Sequence, residues 1–376
     1  MKIWTSRTAR LALTTLVILF AGLSRATAQE PSIDNLLKKL PPPEKLVKTP
    51  VQRALQQDDP ALKDPLGKDI VAAMQRRDLI RALNLTRQLT ARYPRSVAAH
   101  ILLGALLADT RHATEGGAEM RKAIALKPGN AFAWFMLANV EASDRKFSEA
   151  LPHFEKAAAL EPKNGIAWLF VSSYAEKVGH KEEAVTAARR TTEVAPAFLP
   201  GWLRLAHTER EMGHMSECLR AILRAADLSP DNSYMLATVG YSYINLNRIP
   251  EAIGPLQRAA RFTPNDFLVQ AQLGFCLEAT GQVDAAIEHL RKGSRLAKDY
   301  APVWEHLGIA YAMKADHRQA VDSFEHAVKI MPNYKQAWTH LATEYRVVGR
   351  PADAQHAAAR AASLKTPSSP DKSKKA

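Results

Sequence analysis

His306 and His340 stand one interval of 34 residues apart, and Glu305 lies beside the first of them. Two imidazoles and a carboxylate are zinc-ligand chemistry, but a zinc site needs three or four protein ligands, and no further candidate accompanies these. Each histidine is flanked by a tryptophan and a leucine, Trp304 and Leu307 or Trp338 and Leu341, which places it in packing between helices. The remaining histidines are scattered. The chain has no HExxH pair, no CxxC, no phosphate-binding loop and no GxSxG elbow. The sequence therefore predicts no catalytic residue, no metal, no cofactor and no enzymatic activity.

What the sequence does contain is a period. Pro94, Pro128, Pro162, Pro196, Pro230, Pro264 and, after a lapse at Lys298, Pro332 mark a 34-residue interval. Five of the six tryptophans share one phase of it, in the series His100, Trp134, Trp168, Trp202, Leu236, Gln270, Trp304 and Trp338. Three columns admit only small side chains. One runs Gly104, Ala138, Ser172, Ala206, Gly240, Gly274, Gly308, Ala342; the others contain Ala150, Cys218, Ala252 and Ala320, or Ala157, Thr191, Gly293 and Ala327. Two helices that cross closely need small residues at the crossing and large apolar ones beside it. Gly179, Gly213, Gly281, Gly349 and Asn247 fall between the two helices of a unit, where a left-handed residue ends the first. Asn164, Asn232 and Asp266 offer N-caps to the next unit.

The spacing W-x2-L-G-x2-Y…A-x3-F…P resembles the tetratricopeptide repeat (TPR), a helix-turn-helix unit of this period. Its fullest copy, residues 301 to 334, carries Trp304, Leu307, Gly308, Tyr311, Ala320, Phe324, Ala327 and Pro332. Glu141 and Glu209 depart from it where an aromatic is usual. The resemblance implies an all-α fold, a right-handed α-solenoid of antiparallel helix pairs, with eight copies over 97–366 and a degenerate capping copy over 63–96. In that capping copy Asp69 stands where an apolar residue is expected. Cys218 occupies a small column and Cys276 lies two units away, too far for a disulfide, so both are expected as buried thiols. Gly293 and Lys298 in one copy predict a bend over 293–302.

The ends read differently. Residues 1–28 have the three parts of a secretory signal peptide: basic Lys2, Arg7 and Arg10, the apolar run Leu11 to Leu23, and Ala26-Thr27-Ala28. An exported protein, periplasmic or secreted, is expected, with no membrane span left after cleavage. An uncleaved anchor is the alternative. Residues 29–62 form a linker in which Ile33, Leu36, Leu37 and Leu40 have helical spacing before Pro41-Pro42-Pro43; residues 367–376 form a basic tail expected to be disordered.

Specificity is left to exposed first-helix phases. The resemblance places Phe132, Phe135, Asn139, Leu169, Ser173, Leu203, His207, Arg210, Tyr234, Tyr241, Asn245 and Phe275 on the concave surface, as an apolar groove with a polar thread, and about half are expected to be accessible. Such a groove suits an extended or helical peptide. Phe135 and Leu169 replace the basic residues with which some family members clamp a C-terminal carboxylate. The second helices carry Lys122, Lys156, Arg190, Arg224, Arg258 and Lys292 in one phase, a basic stripe. The formal charge of +13 falls to +9 without residues 1–28, and to +6 without residues 363–376 as well. The leading expectation is a non-enzymatic scaffold or chaperone-like adaptor of a bacterial cell envelope whose partners are proteins or peptides. The alternatives are a binder of anionic polymer or lipid through the stripe, and an accessory subunit of an envelope enzyme. Nucleic acid is not an expected partner.

Overall fold

The computed structural model describes residues 59–364 apart from 77 and 111. The leader, the helical spacing at 33–40 and the basic tail lie outside the described residues. Two compact units are present. In the first, a 3-10 turn at Pro60–Lys63 precedes α1 (Pro65–Gln75), α2 (Leu79–Arg92), α3 (Val97–Asp109), α4 (Ala113–Leu126), α5 (Ala131–Ser143), α6 (Phe147–Leu160), α7 (Gly165–Lys177), α8 (Lys181–Val194), α9 (Leu199–Glu211) and α10 (Met215–Asp227). The second has α11 (Ser233–Asn245), α12 (Ile249–Phe262), α13 (Phe267–Ala279), α14 (Val283–Leu296), α15 (Ala301–Met313), α16 (His317–Ile330), α17 (Lys335–Val347) and α18 (Pro351–Ser363). The fold is all-α, and the described residues contain no strand. None of these helices is long and apolar enough to cross a membrane.

Each odd-numbered helix pairs with the even-numbered helix after it. Where they cross, the side chains must be small. A Cβ added to Gly274 would come within 2.6 Å of Leu290, and one on Gly308 within 2.7 Å of the Phe324 ring. Large residues of the second helix occupy the space that glycine leaves, and Phe154, Phe324 and Leu290 are fully buried there. Asn164, Asn232 and Asp266 each accept a hydrogen bond from the first turn of the following helix, as the loop chemistry predicts. From α5–α6 onward the turn inside each pair contains a left-handed residue. Gly179, Gly213, Gly281, Gly349 and Asn247 adopt positive φ as expected, and Arg145 and Ala315 do the same without glycine's freedom.

The tryptophan and proline columns prove to be one device. Trp134, Trp168, Trp202 and Trp338 donate their indole N–H to the carbonyl of the proline six residues earlier, at 2.8 to 3.0 Å. Where the column holds His100 or Gln270, a side-chain nitrogen takes the same carbonyl at 3.0 Å. Leu236 has no donor, and Arg258 reaches across from α12 to the Pro230 carbonyl at 2.7 Å. A loop carbonyl at the joint between helix pairs thus finds a partner whichever residue is present. The lapse at Lys298 leaves this device intact. Lys298 supplies the same carbonyl, which Trp304 takes at 3.0 Å, and Gly293 is buried. The division between compact units falls between Leu228 and Ser229.

In the first pair Asp69 is exposed, so its charge costs no burial. Asp64 performs the entry role there. It accepts from the Leu66 amide at 2.9 Å, from Arg92 at 2.7 Å and from the Tyr93 hydroxyl at 3.0 Å. The Leu66 amide and Arg92 hold its carboxyl below the usual carboxylate value.

Candidate functional site

Positions three and then four residues apart share one face of a helix. On the first helices this generates Met136, Asn139 and Ser143 on α5; Phe170, Ser173 and Lys177 on α7; and Arg204, His207 and Glu211 on α9. In the second unit it generates Thr238, Tyr241 and Asn245; Gln272, Phe275 and Ala279; His306, Ile309 and Met313; and His340, Thr343 and Val347. Exposure rises along every one of these lines. The first residue is buried or half-buried and the last is exposed. The accessible surface is therefore the C-terminal half of each first helix.

Half of the residues expected to line an apolar groove lie beneath this surface. Phe132, Phe135, Leu169, Leu203 and Phe275 are buried, and so is Ser173. Phe135 packs edge-on against Phe154 and Phe170, with ring centroids 5.4 and 4.7 Å apart. It is a core residue, because the large side chains that flank the small columns must come from this phase as well as from the second helix. Asn139, His207, Arg210, Tyr234 and Tyr241 are half-buried, and Asn245 is exposed.

The expected polar thread is spent within the protein. Asn139 donates to the Phe135 carbonyl at 3.0 Å, and Ser173 to that of Leu169 at 2.8 Å. Glu176 on α7 receives Arg204 and His207 of α9, both at 2.5 Å, and so ties two successive first helices together. The His207 hydrogen bond leads in pulling the Glu176 carboxyl below its ordinary value, with Arg204 adding to it against the cost of burial. Arg210 pairs with Glu211 at 3.2 Å.

The second unit presents a different surface. Met313 is 47% and Val347 55% exposed, with half-buried Tyr241, Ile244 and Ile309 on neighbouring first-helix positions. Beneath them lies a buried polar layer. His306 holds Glu278 of α13 through Nδ1 at 2.7 Å and rests on the Phe275 ring, centroids 4.9 Å apart. Glu305 is buried, accepts the Tyr334 hydroxyl, and lies 3.8 Å from His340 Nε2. Burial works against a charge on His306, but the Glu278 hydrogen bond and the negative charge of Glu278 and Glu305 outweigh it and raise its pKa. The described residues contain no group of three or more side chains that could hold a metal ion. Cys218 and Cys276 are buried free thiols, and burial pushes them up to about 11 and about 12.

The basic stripe is exposed except at half-buried Lys292, but most of it is already engaged. Lys122 pairs with Glu119 at 2.7 Å, Arg190 with Glu193 at 2.9 Å and Arg224 with Asp227 at 3.8 Å. Arg258 serves the Pro230 carbonyl. A cleft of about 730 Å³ among α8, α9 and α10 contains Arg189, Arg220 and Arg224, each balanced by Glu209, Glu217 or Asp227. Paired arginines leave little field to concentrate an anion.

Sequence reasoning weighed His306 and His340 only as metal ligands or packed residues and passed over the rest of the phase that roots the first-helix face: Leu102, Met136, Phe170, Arg204, Thr238 and Gln272. Its signal is the change from apolar to polar along the chain, which the small columns beside it obscured. Met313 and Val347 were missed because each closes a helix, where a lone apolar residue reads as ordinary surface.

Family models described as tetratricopeptide repeat match residues 70–131 and 131–164. No curated protein matches the chain. Among solved structures it is similar to YrrB, described as a TPR protein with an unusual peptide-binding site, at 20% identity over 49% of this chain and 95% of that one, with a TM-score of 0.44. MamA is similar at 21% identity over 43% and 89% of the two chains, TM-score 0.41. The Cut9–Hcn1 hetero-tetramer of the APC/C covers more of this chain, 83%, against 67% of its own, at 18% identity and a TM-score of 0.37.

Proposed function

We propose that this chain, a tetratricopeptide-repeat protein, is a non-enzymatic scaffold or chaperone-like adaptor that holds a segment of another polypeptide against the C-terminal halves of its first helices. One observation carries the reading. The packed phases repeat from copy to copy, while the exposed first-helix phases do not, running from Asn139, Ser143 and Lys177 to Tyr241, Ile309, Met313 and Val347. Exposed apolar side chains on neighbouring copies supply contact area for a partner, and half-buried tyrosine supplies a rigid amphipathic anchor. The leader pattern of residues 1–28 supports a place for this activity in a cell envelope.

Substituting Met313→Glu together with Val347→Glu tests the reading. Both sites are exposed, so folding should survive while partner capture is lost, and capture by the unsubstituted chain should persist at high salt. Capture that vanishes as salt rises and ignores both substitutions would overturn it. Export is tested separately by sequencing the mature N-terminus, which is expected at Gln29 in an envelope fraction.

A further inference from the structure

The second helices change charge partway along the chain. In the position just before their last apolar residue, the first unit has Ala125, Ala159, Glu193 and Asp227, whereas the second has Arg261, Arg295 and Lys329. The acids of the first unit quench the basic stripe three residues earlier: Arg190 pairs with Glu193 at 2.9 Å and Arg224 with Asp227 at 3.8 Å. In the second unit that partner becomes a like charge, Arg261 one turn from Arg258 and Arg295 one turn from Lys292. Like charges at this spacing oppose helix formation, so their retention calls for an account. The helix dipole favours a cation near a helix C-terminus, but the first unit has the same dipoles and carries acids there, so the dipole does not explain the change.

These cations are available to a ligand. Arg261, Arg291, Arg295, Lys298 and Lys329 are exposed and make no ion pair among the described residues. The exposed acids Glu251, Asp284, Glu288 and Asp322 lie in the N-terminal halves of α12, α14 and α16, and Glu251 and Asp284 are already paired with Arg248 and Lys314. In the loops that follow, Asp266 caps α13, and Asp299 comes after Lys298. Next to each terminal cation stands an apolar residue: Phe262 is 50% and Leu296 42% exposed, and Ile330 is half-buried. Cationic and apolar side chains adjacent at the same end of successive helices match a layered partner, with phosphate outside and hydrocarbon beneath. A soluble polyanion would engage the cations and leave Phe262 and Leu296 in water.

We infer that the C-terminal ends of α12, α14 and α16 dock on the surface of a membrane rich in anionic lipid, with Arg261, Arg295 and Lys329 on headgroup phosphates and Phe262 and Leu296 entering the boundary between headgroups and acyl chains. The attachment is peripheral, since no helix among the described residues is long and apolar enough to cross a bilayer. It uses a different column from the basic stripe, and a different helix from the one on which partner capture rests. To that capture it adds a location, at a lipid surface.

The test uses the full chain with an environment-sensitive fluorophore on Phe262→Cys or, at the equivalent phase of the first unit, on Leu126→Cys. Both sites are exposed, and the buried native thiols stay unlabelled. Vesicles of phosphatidylglycerol mixed with phosphatidylcholine should shift the emission of the Phe262→Cys probe to the blue and leave the Leu126→Cys probe unchanged. Pure phosphatidylcholine should move neither. Adding Arg261→Gln and Arg295→Gln should weaken the response by about thirtyfold, because each cation near an anionic surface adds to the affinity. Equal responses from both probes would assign binding to the leader or the basic tail and overturn the inference. A Phe262→Cys probe that ignores the vesicles, or that responds equally to soluble polyphosphate, would overturn it too. None of these outcomes bears on capture by the first helices, so either proposal can fail without the other.

Discussion

Ala315→Gly should stabilise this protein, although glycine in or near helices usually weakens them. Ala315 is exposed and adopts φ +62° in the turn between α15 and α16, so its methyl group buries nothing while its backbone sits in the left-handed region. A non-glycine residue pays about 1–2 kcal/mol there. Glycine avoids that strain but loses more unfolded-state entropy, about 0.5–1 kcal/mol, leaving a net gain of about 0.5–1 kcal/mol. The reciprocal change isolates the cause. Gly281 has φ +79°, and a Cβ built there meets nothing within 4 Å, so Gly281→Ala should cost a similar amount through backbone strain alone. Urea unfolding would report the sign, and hydrogen exchange of peptides from α15 and α16 would localise it, which matters in repeat arrays whose cooperativity can break down. Destabilisation by Ala315→Gly, or indifference to Gly281→Ala, would refute the reasoning that backbone conformation governs this turn.

Other consequences follow from the packing and the buried charges. Gly308→Ala would drive a Cβ to 2.7 Å from the buried Phe324 ring and should cost about 1–3 kcal/mol, read as a lower urea midpoint. His306 has its pKa raised, so its pairing with Glu278 stabilises the fold fully below the ordinary histidine value and is lost as pH rises through the elevated one. The urea midpoint of the wild type should therefore fall relative to that of His306→Gln as pH is raised across that window, and parallel profiles would contradict it. Cys218 and Cys276, with burial pushing their thiols up to about 11 and about 12, should resist a thiol reagent in the folded chain and react only as it unfolds. Fast labelling of the native protein would contradict their burial.

The repeat was legible because packing imposes it on every copy: a residue at a helix crossing has one neighbour class, and Gly274 and Gly308 record that directly. The site was less legible because the same phases serve two purposes. Phe135 looks identical in sequence to a groove anchor, yet its ring meets Phe154 and Phe170, and only the three-dimensional neighbours separate the two. His207 reads as part of the groove's polar thread, but a carboxylate 31 residues upstream, Glu176, engages it together with Arg204. Sequence spacing shows which face of a helix a residue joins, whereas depth along that face depends on the next helix pair. The tryptophan column illustrates the converse: its meaning lay in one N–H group, which His100 and Gln270 could replace and Arg258 could supply from another helix.

Site-specific photocrosslinking in intact producing cells tests the central claim most directly, with benzoylphenylalanine placed at Thr343 on the exposed first-helix face or at Lys156 on the outer stripe. Crosslinks to segments of other proteins from Thr343, and none from Lys156, are the predicted result. Crosslinks from Lys156 to polymer or lipid, with Thr343 silent, would contradict it.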